Sequence, residues 1–219
     1  MRSPLASIIH AAAVGATALA LAGCSISGLA GSEPPPDLYI LSPKSTFAED
    51  IPQVDWQIVI DEPSTAKGID TDRIAIAPQP LEVKYFGGAR WADRAPRMVQ
   101  QLLIQSFENT KKIVSVGRQS IGLRSDFVLK TELREFQAEK TAEGGTTVRV
   151  RLNLKLVRPA IGQIVASQSF ESVKPSASEN VPDIVAAFDD AIGAVMKRAV
   201  TWTLKAGEEN KRKRPKDWN

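Results

Sequence analysis

The chain has 219 residues, 43% of them hydrophobic and 24% charged, with a net charge of +3, so it is long enough for one domain with a core of its own. Its one histidine, His10, and its one cysteine, Cys24, both lie near the start. The rest of the chain therefore has no means to build a disulfide, a zinc site of the usual kind, or a nucleophile activated by histidine.

In chain order, a single early charge at Arg2 precedes an uncharged run from Ile8 to Leu21, which is too brief to span a bilayer and has the form of a secretory signal. Its end, Leu21-Ala22-Gly23-Cys24, resembles the bacterial lipobox. The resemblance implies cleavage before Cys24, a diacylglycerol on its thiol and an acyl chain on its new amino terminus. Each buried methylene is worth about 0.8 kcal/mol, so three chains give a permanent anchor where one gives a reversible one. Residues 1–23 are thus read as a lipoprotein signal peptide. The alternative, a plain cleaved signal or a signal-anchor helix, treats Cys24 as an ordinary small residue and does not account for the lack of a second cysteine. Residues 24–36 are small, Gly-rich and then Pro-rich, ending in Pro34-Pro35-Pro36, which predicts a flexible tether.

Residues 37–207 carry the periodic pattern of a folded domain. Short β-branched runs predict strands at Asp37 to Leu41, Trp56 to Ile60 and Arg73 to Ala77. Leu81 to Phe86 alternates as a fourth strand, which Gly87-Gly88 is expected to end in a turn. From Asp93 to Asn109 the period becomes helical, with Val99, Leu102, Leu103, Ser106 and Phe107 on one face and Asp93 as the expected cap. Ile113 to Val116 follows, and strand, helix and strand in succession predict a crossover with parallel strands. Phe127 to Phe136, a strictly alternating run with Val148, Val150, Leu152, Leu154 and Leu156 on one face, and Gln163 to Val173 predict an antiparallel meander. A long amphipathic helix starts near Pro182-Asp183. Residues 208–219 read as a basic, disordered tail. The predicted fold is α/β: a single domain with a mixed sheet and an antiparallel meander, packed by two main helices.

Candidate chemistry is sparse. Ser64-Thr65-Ala66-Lys67 has the Ser-x-x-Lys spacing, yet lacks the companion motifs of that nucleophile system and falls in an expected loop rather than at the start of a helix. Glu132 and Glu135 differ in strand parity and are expected on opposite faces, while Asp189 and Asp190 diverge around a helix. No Gly-rich phosphate cradle is present, and metal sites are not expected. The connection Tyr85-Phe86-Gly87-Gly88-Ala89-Arg90-Trp91 offers aromatic and arginine side chains of the kind that dominate interfaces. Tyr85, Phe86, Arg90 and Trp91 are accordingly candidate partner-binding residues. The competing reading has Phe86 and Trp91 plugging the core.

Over nearly all of the part after Cys24, the chain resembles the auxiliary lipoproteins of ABC-type transport, the PqiC-like family. The resemblance rests on the lipobox, Tyr39-Ile40-Leu41-Ser42, Asp72-Arg73-Ile74-Ala75-Ile76, Tyr85-Phe86 with Arg90-Trp91-Ala92-Asp93, Asp126-Phe127-Val128-Leu129, Val148 to Val157, and Ala186-Ala187-Phe188. It implies a non-enzymatic lipoprotein subunit of an intermembrane lipid transport system of ABC and MCE type. Its implied partners are an MCE-domain protein and an ABC permease with its ATPase, with no nucleic acid. Its implied location is the periplasmic side of the outer membrane, held by lipid on Cys24, with no cofactor besides that covalent diacylglycerol and N-acyl chain. Ser25 fits that location, because an aspartate there is the usual inner-membrane retention signal. The family allows a homo-oligomer, but no stretch demands one. A regulator of a cell-wall synthase and a lipid-binding carrier are the alternatives. The first calls for a longer tether, the second for an apolar cavity under the sheet.

Overall fold

The longest strand holds the sheet together. The structure, a computed structural model, describes residues 34–119 and 125–214. In it nine strands form one sheet around β7 (Phe127–Lys140). One edge of β7 pairs in antiparallel register with β8 (Thr146–Arg158), which pairs the same way with β9 (Gln163–Pro175). This is the predicted meander. Its inner face carries Val148, Val150, Leu152, Leu154 and Leu156, all fully buried.

The other edge of β7 is shared in turn by three strands, all parallel to it: β2 (Gln57–Ile60), β3 (Ser64–Thr65) and β4 (Arg73–Ala77). From β2 the sheet continues to β6 (Ser115–Gly117), in parallel. From β4 it continues to the antiparallel β5 (Lys84–Trp91), and from there to the parallel β1 (Asp37–Tyr39). Because β5 turns back on β4, it runs opposite to β2 and β6. The crossover expected between β5 and β6 is therefore not a parallel one, and the parallel relations are those of β2, β3 and β4 with β7.

Two helices cover the inner face. Helix α1 (Ala95–Thr110) buries Val99, Leu102, Leu103, Ser106 and Phe107, as its periodicity predicts. Asp93 does not cap it. The N-cap position is Arg94, and the Asp93 carboxylate instead accepts the Arg94 N–H at 2.8 Å. Helix α2 (Val181–Lys213) lays Ile184, Phe188, Ile192, Val195 and Ala199 on the sheet. It passes so close to β2 that a Cβ on Gly207 would lie 2.6 Å from the Trp56 ring. Residues 208–213 continue this helix, where the sequence suggested a tail from residue 208. Lys211 and Lys213 are tied there to Asp55 and Glu209.

Residues 41–55 form a strap over both helices, burying Leu41, Ile51 and Val54. The Asp189 carboxylate accepts the Ser42 N–H at 2.6 Å, and the Ser106 hydroxyl accepts that of Lys44 at 2.9 Å. Asp189, raised above as half of an acidic pair, is thus a tie for the strap.

Two bulges correct the sequence reading. Between Arg73 and Ala75, β4 advances two residues while β5 advances five, from Tyr85 to Arg90. Gly87-Gly88 lies in this bulge, with Gly88 at φ 67°, and the strand runs on to Trp91 instead of turning. The strand itself begins at Lys84, so Leu81 and Val83 lie outside it and exposed. A second bulge lies between Leu133 and Glu135 of β7. The extra residue resets side-chain parity, since faces alternate with a period of two.

Candidate docking surface

The connection from β5 to α1 holds the sequence-predicted partner residues, and the structure divides them. Trp91 is 1% exposed and packs edge-on against Phe188, with ring centroids 5.1 Å apart, and against Phe136 at 5.6 Å. It is a core residue, and its burial removes it from any docking surface. Phe86 is half-buried against the same core. For these two aromatics the packing alternative is the one observed.

Tyr85 and Arg90 stay near the surface, each fixed by neighbours. The Arg73 guanidinium sits 3.8 Å from the centre of the Tyr85 ring, a cation–π contact, and the Tyr85 hydroxyl donates to the Gly68 carbonyl at 3.0 Å. Arg90 forks onto Asp72 with bonds of 3.1 and 2.9 Å, and those bonds hold the Asp72 carboxyl below its ordinary value. Next along, Arg94 bonds Asp70 and lies 3.5 Å from Glu62; its guanidinium is raised above its usual value, chiefly by Asp70. Two arginines thus clasp the loop before β4, Arg90 from β5 and Arg94 from the start of α1. Such exposed pairs contribute little to stability, but they hold a rigid pattern of charge that a complementary surface can read.

The outer face of the meander carries a second charged array. Arg149 pairs with Glu139 at 3.0 Å and with Glu171, while Arg151 pairs with Glu135 at 3.0 Å and with Glu171 at 2.9 Å. Hydrogen bonding from Arg149 is the main cause that holds the Glu171 carboxyl below its usual range. Because of the β7 bulge, Glu132 and Glu135 share this face instead of pointing to opposite ones. Each is neutralised by an arginine, Glu132 by Arg134 at 2.8 Å, which makes them partners in ion pairs and not a poised acid and base. Ser64 and Thr65 form β3, paired to Glu132 and Leu133, so the Ser-x-x-Lys run does not open a helix. Among the described residues no three metal-ligating side chains cluster.

Among the described residues, buried side chains pack between the sheet and the helices. Trp91, Phe136 and Phe188 pack together where α2 crosses the sheet, and Trp56 stacks edge-on against Phe127 at 5.0 Å near the end of α2. Two grooves lie at the surface. One of about 430 Å³ is lined by Asp61, Lys130, Glu132, Asn153 and Lys155. Another, of about 540 Å³, is lined by Ala48, Lys197, Lys205 and the edge-on pair Phe170 and Trp202, whose ring centroids are 5.8 Å apart.

The described residues thus form an α/β sandwich with a packed aromatic and aliphatic core and charged, ion-paired outer surfaces. Residues 39–200 match the model of the ABC-type transport auxiliary lipoprotein component, and the chain belongs to that family. The crystal structure of protein XCC0632 from Xanthomonas campestris superposes with a TM-score of 0.77 at 32% identity, over 80% of this chain and 99% of that one. A second crystal structure, of an uncharacterized protein, shares the fold at TM-score 0.56 and 12% identity, over 78% of this chain and 95% of that one. The uncharacterized protein bll6063 of Bradyrhizobium diazoefficiens is 31% identical over 149 residues, 68% of this chain. This chain spans about two fifths of that relative's length, 40%. Cys24 lies outside the described residues.

Proposed function

We propose that the chain is the lipoprotein subunit of an intermembrane lipid transport system. In this reading three acyl chains on Cys24 hold it in the outer membrane facing the periplasm, and its domain docks an assembly of an MCE-domain protein with an ABC permease and ATPase. It catalyses nothing itself and needs no further cofactor. Its contribution is position: the lipid fixes one end, the tether sets the reach, and the charged outer surfaces engage the partner. The observation that carries the reading is the family match over residues 39–200. The lipobox and Ser25 support it from the sequence. No described helix is long and apolar enough to cross a membrane.

The experiment is mild crosslinking in cells, followed by purification of the tagged lipoprotein from solubilised membranes and identification of what accompanies it. Recovery of an MCE-domain protein with its permease and ATPase is the expected result. Recovery of a cell-wall synthase in their place overturns it. Cys24→Ala should give a folded protein released from membranes by high salt, and retention of that variant would defeat the anchor.

A further inference from the structure

The turn between β4 and β5 reads Pro78-Gln79-Pro80-Leu81-Glu82-Val83. The Glu82 N–H donates to the Gln79 carbonyl at 3.2 Å, closing a turn in which Leu81 sits at φ 67°. That left-handed backbone suits glycine and is tolerated by asparagine, whereas a leucine there is strained. The Leu81 side chain gains no packing in return. It is as open as in an extended peptide, at 109% relative exposure, and Val83 beside it is 56% exposed. Two large apolar side chains thus stand on a turn that one of them strains, and nothing inside the chain compensates. Strain of this kind points to a role outside the fold.

The register of the sheet shows where this tip faces. β1 runs parallel to β5 with Asp37 against Ala89 and Tyr39 against Trp91, so Asp37 is the end of β1 nearer to residues 78–83. Ile76 pairs with both Lys84 and Ala138, which places the tip at the end of the sheet that holds the β7–β8 turn. Cys24 lies thirteen residues before Asp37, no more than about 45 Å of fully extended chain. Lys84 pairs with Glu82 at 2.7 Å and Lys140 with Glu179, so the basic side chains beside the tip are neutralised, and Leu81 and Val83 present hydrocarbon. An exposed apolar tip suits the boundary between headgroups and acyl chains, where binding scales with the apolar area buried.

We propose that Leu81 and Val83 form a wedge that seats in the headgroup region of the bilayer leaflet holding the lipid of Cys24. Two attachments, one covalent lipid and one wedge, fix the orientation of the domain, which a flexible tether alone leaves free. This inference rests on the anchoring of Cys24 put forward above.

The test uses the mature lipoprotein reconstituted into vesicles of phosphatidylethanolamine and phosphatidylglycerol. With Cys24 acylated, Leu81→Cys supplies the one thiol for an environment-sensitive nitrobenzoxadiazole dye, and Glu108→Cys, exposed near the far end of α1, supplies the control. Flotation reads the anchor, and emission reads the wedge. The expected result is co-flotation of both proteins, with a blue shift and protection from iodide for the dye at residue 81 alone. Co-flotation with a water-like signal at residue 81 overturns the wedge and leaves the anchor standing. Failure to co-float overturns the anchor, and the wedge with it. To exclude insertion driven by the dye, it is moved to Glu82→Cys, and Leu81→Asn with Val83→Ser, a pair that relieves strain and keeps the fold, should abolish the shift. An undiminished shift in that variant overturns the proposal, as does a shift that appears only when a partner protein is added.

Discussion

The two hairpins at one end of the sheet solve the same problem differently. The β7–β8 pair is joined by Thr141 to Gly145, with glycine at the left-handed position, Gly144 at φ 87°. The Gly145 carbonyl accepts the Thr141 N–H at 2.9 Å, and the Thr141 hydroxyl accepts the Gly145 N–H at 3.0 Å. The strands it joins pair at twelve positions around one bulge, over a fully buried inner face. The β4–β5 pair holds only three paired positions around a wide bulge and puts leucine where glycine belongs. The first hairpin is governed by folding. The second gives up local stability for a surface, and substitutions that exchange their rules expose the difference.

The largest effect should come from the buried face of the first hairpin. Leu152→Ala empties a site with no exposure at the centre of the meander, so it should cost about 2–5 kcal/mol by chemical denaturation. Val83→Ala in the second hairpin should lie within about 0.5 kcal/mol of the parent, because Val83 touches mostly water. A cost above 2 kcal/mol for Val83 would mean that the second hairpin carries core after all. Next in size is Gly144→Val, which forces a β-branched residue into left-handed backbone and should cost about 1–3 kcal/mol.

Leu81→Asn reverses the sign. Asparagine tolerates the left-handed region and gives up no packing here, so the variant should be more stable by about 0.5–1 kcal/mol, read as a raised denaturation midpoint at unchanged slope. A variant that gains stability while losing its membrane signal would separate folding from function at a single residue. One that loses stability would show that the leucine packs in solution.

The first hairpin was also the more legible in sequence, and the reason is physical. Strict alternation from Val148 to Leu156 fixes which face is buried, and the stripes of α1 and α2 do the same for the helices, so the class of fold and most of its elements follow from periodicity. A bulge leaves no such mark. One extra residue at Arg134 brought Glu132 and Glu135 to a common face against their apparent parity, and the bulge around Gly87-Gly88 let a strand continue where glycines suggested a turn. The use of one β7 edge by three strands is a set of distant pairings that no local pattern encodes. At the candidate site Trp91 lies in the core, the packing alternative of the two that its sequence context left open. Leu81 and Val83 alternate with Tyr85 as strand residues do, and that regularity concealed their exposure. The sign that could have found them is Leu81 itself, an apolar residue between Pro80 and Glu82 at the tip of a turn.

The smallest effect sharpens the comparison on the outer face, where the first hairpin carries its ion ladder and the second has only short local pairs. Hydrogen bonding from Arg149, with Arg151 adding its charge, lowers the Glu171 carboxyl in the folded state. A carboxyl lowered on folding adds stability that is fully present above its unfolded value, about pH 4, and is lost as pH falls through the lower folded value. Glu171→Gln should therefore reduce stability at neutral pH by no more than about 1 kcal/mol, since the pairs are partly exposed and screened by salt. The gap between variant and parent should close as pH falls below 4, where the parent also loses the charge. Denaturation midpoints across that range, at low and high salt, measure both trends. A gap that persisted at acid pH would assign the role of Glu171 to packing between β8 and β9, where it stands opposite Arg151, and not to its charge.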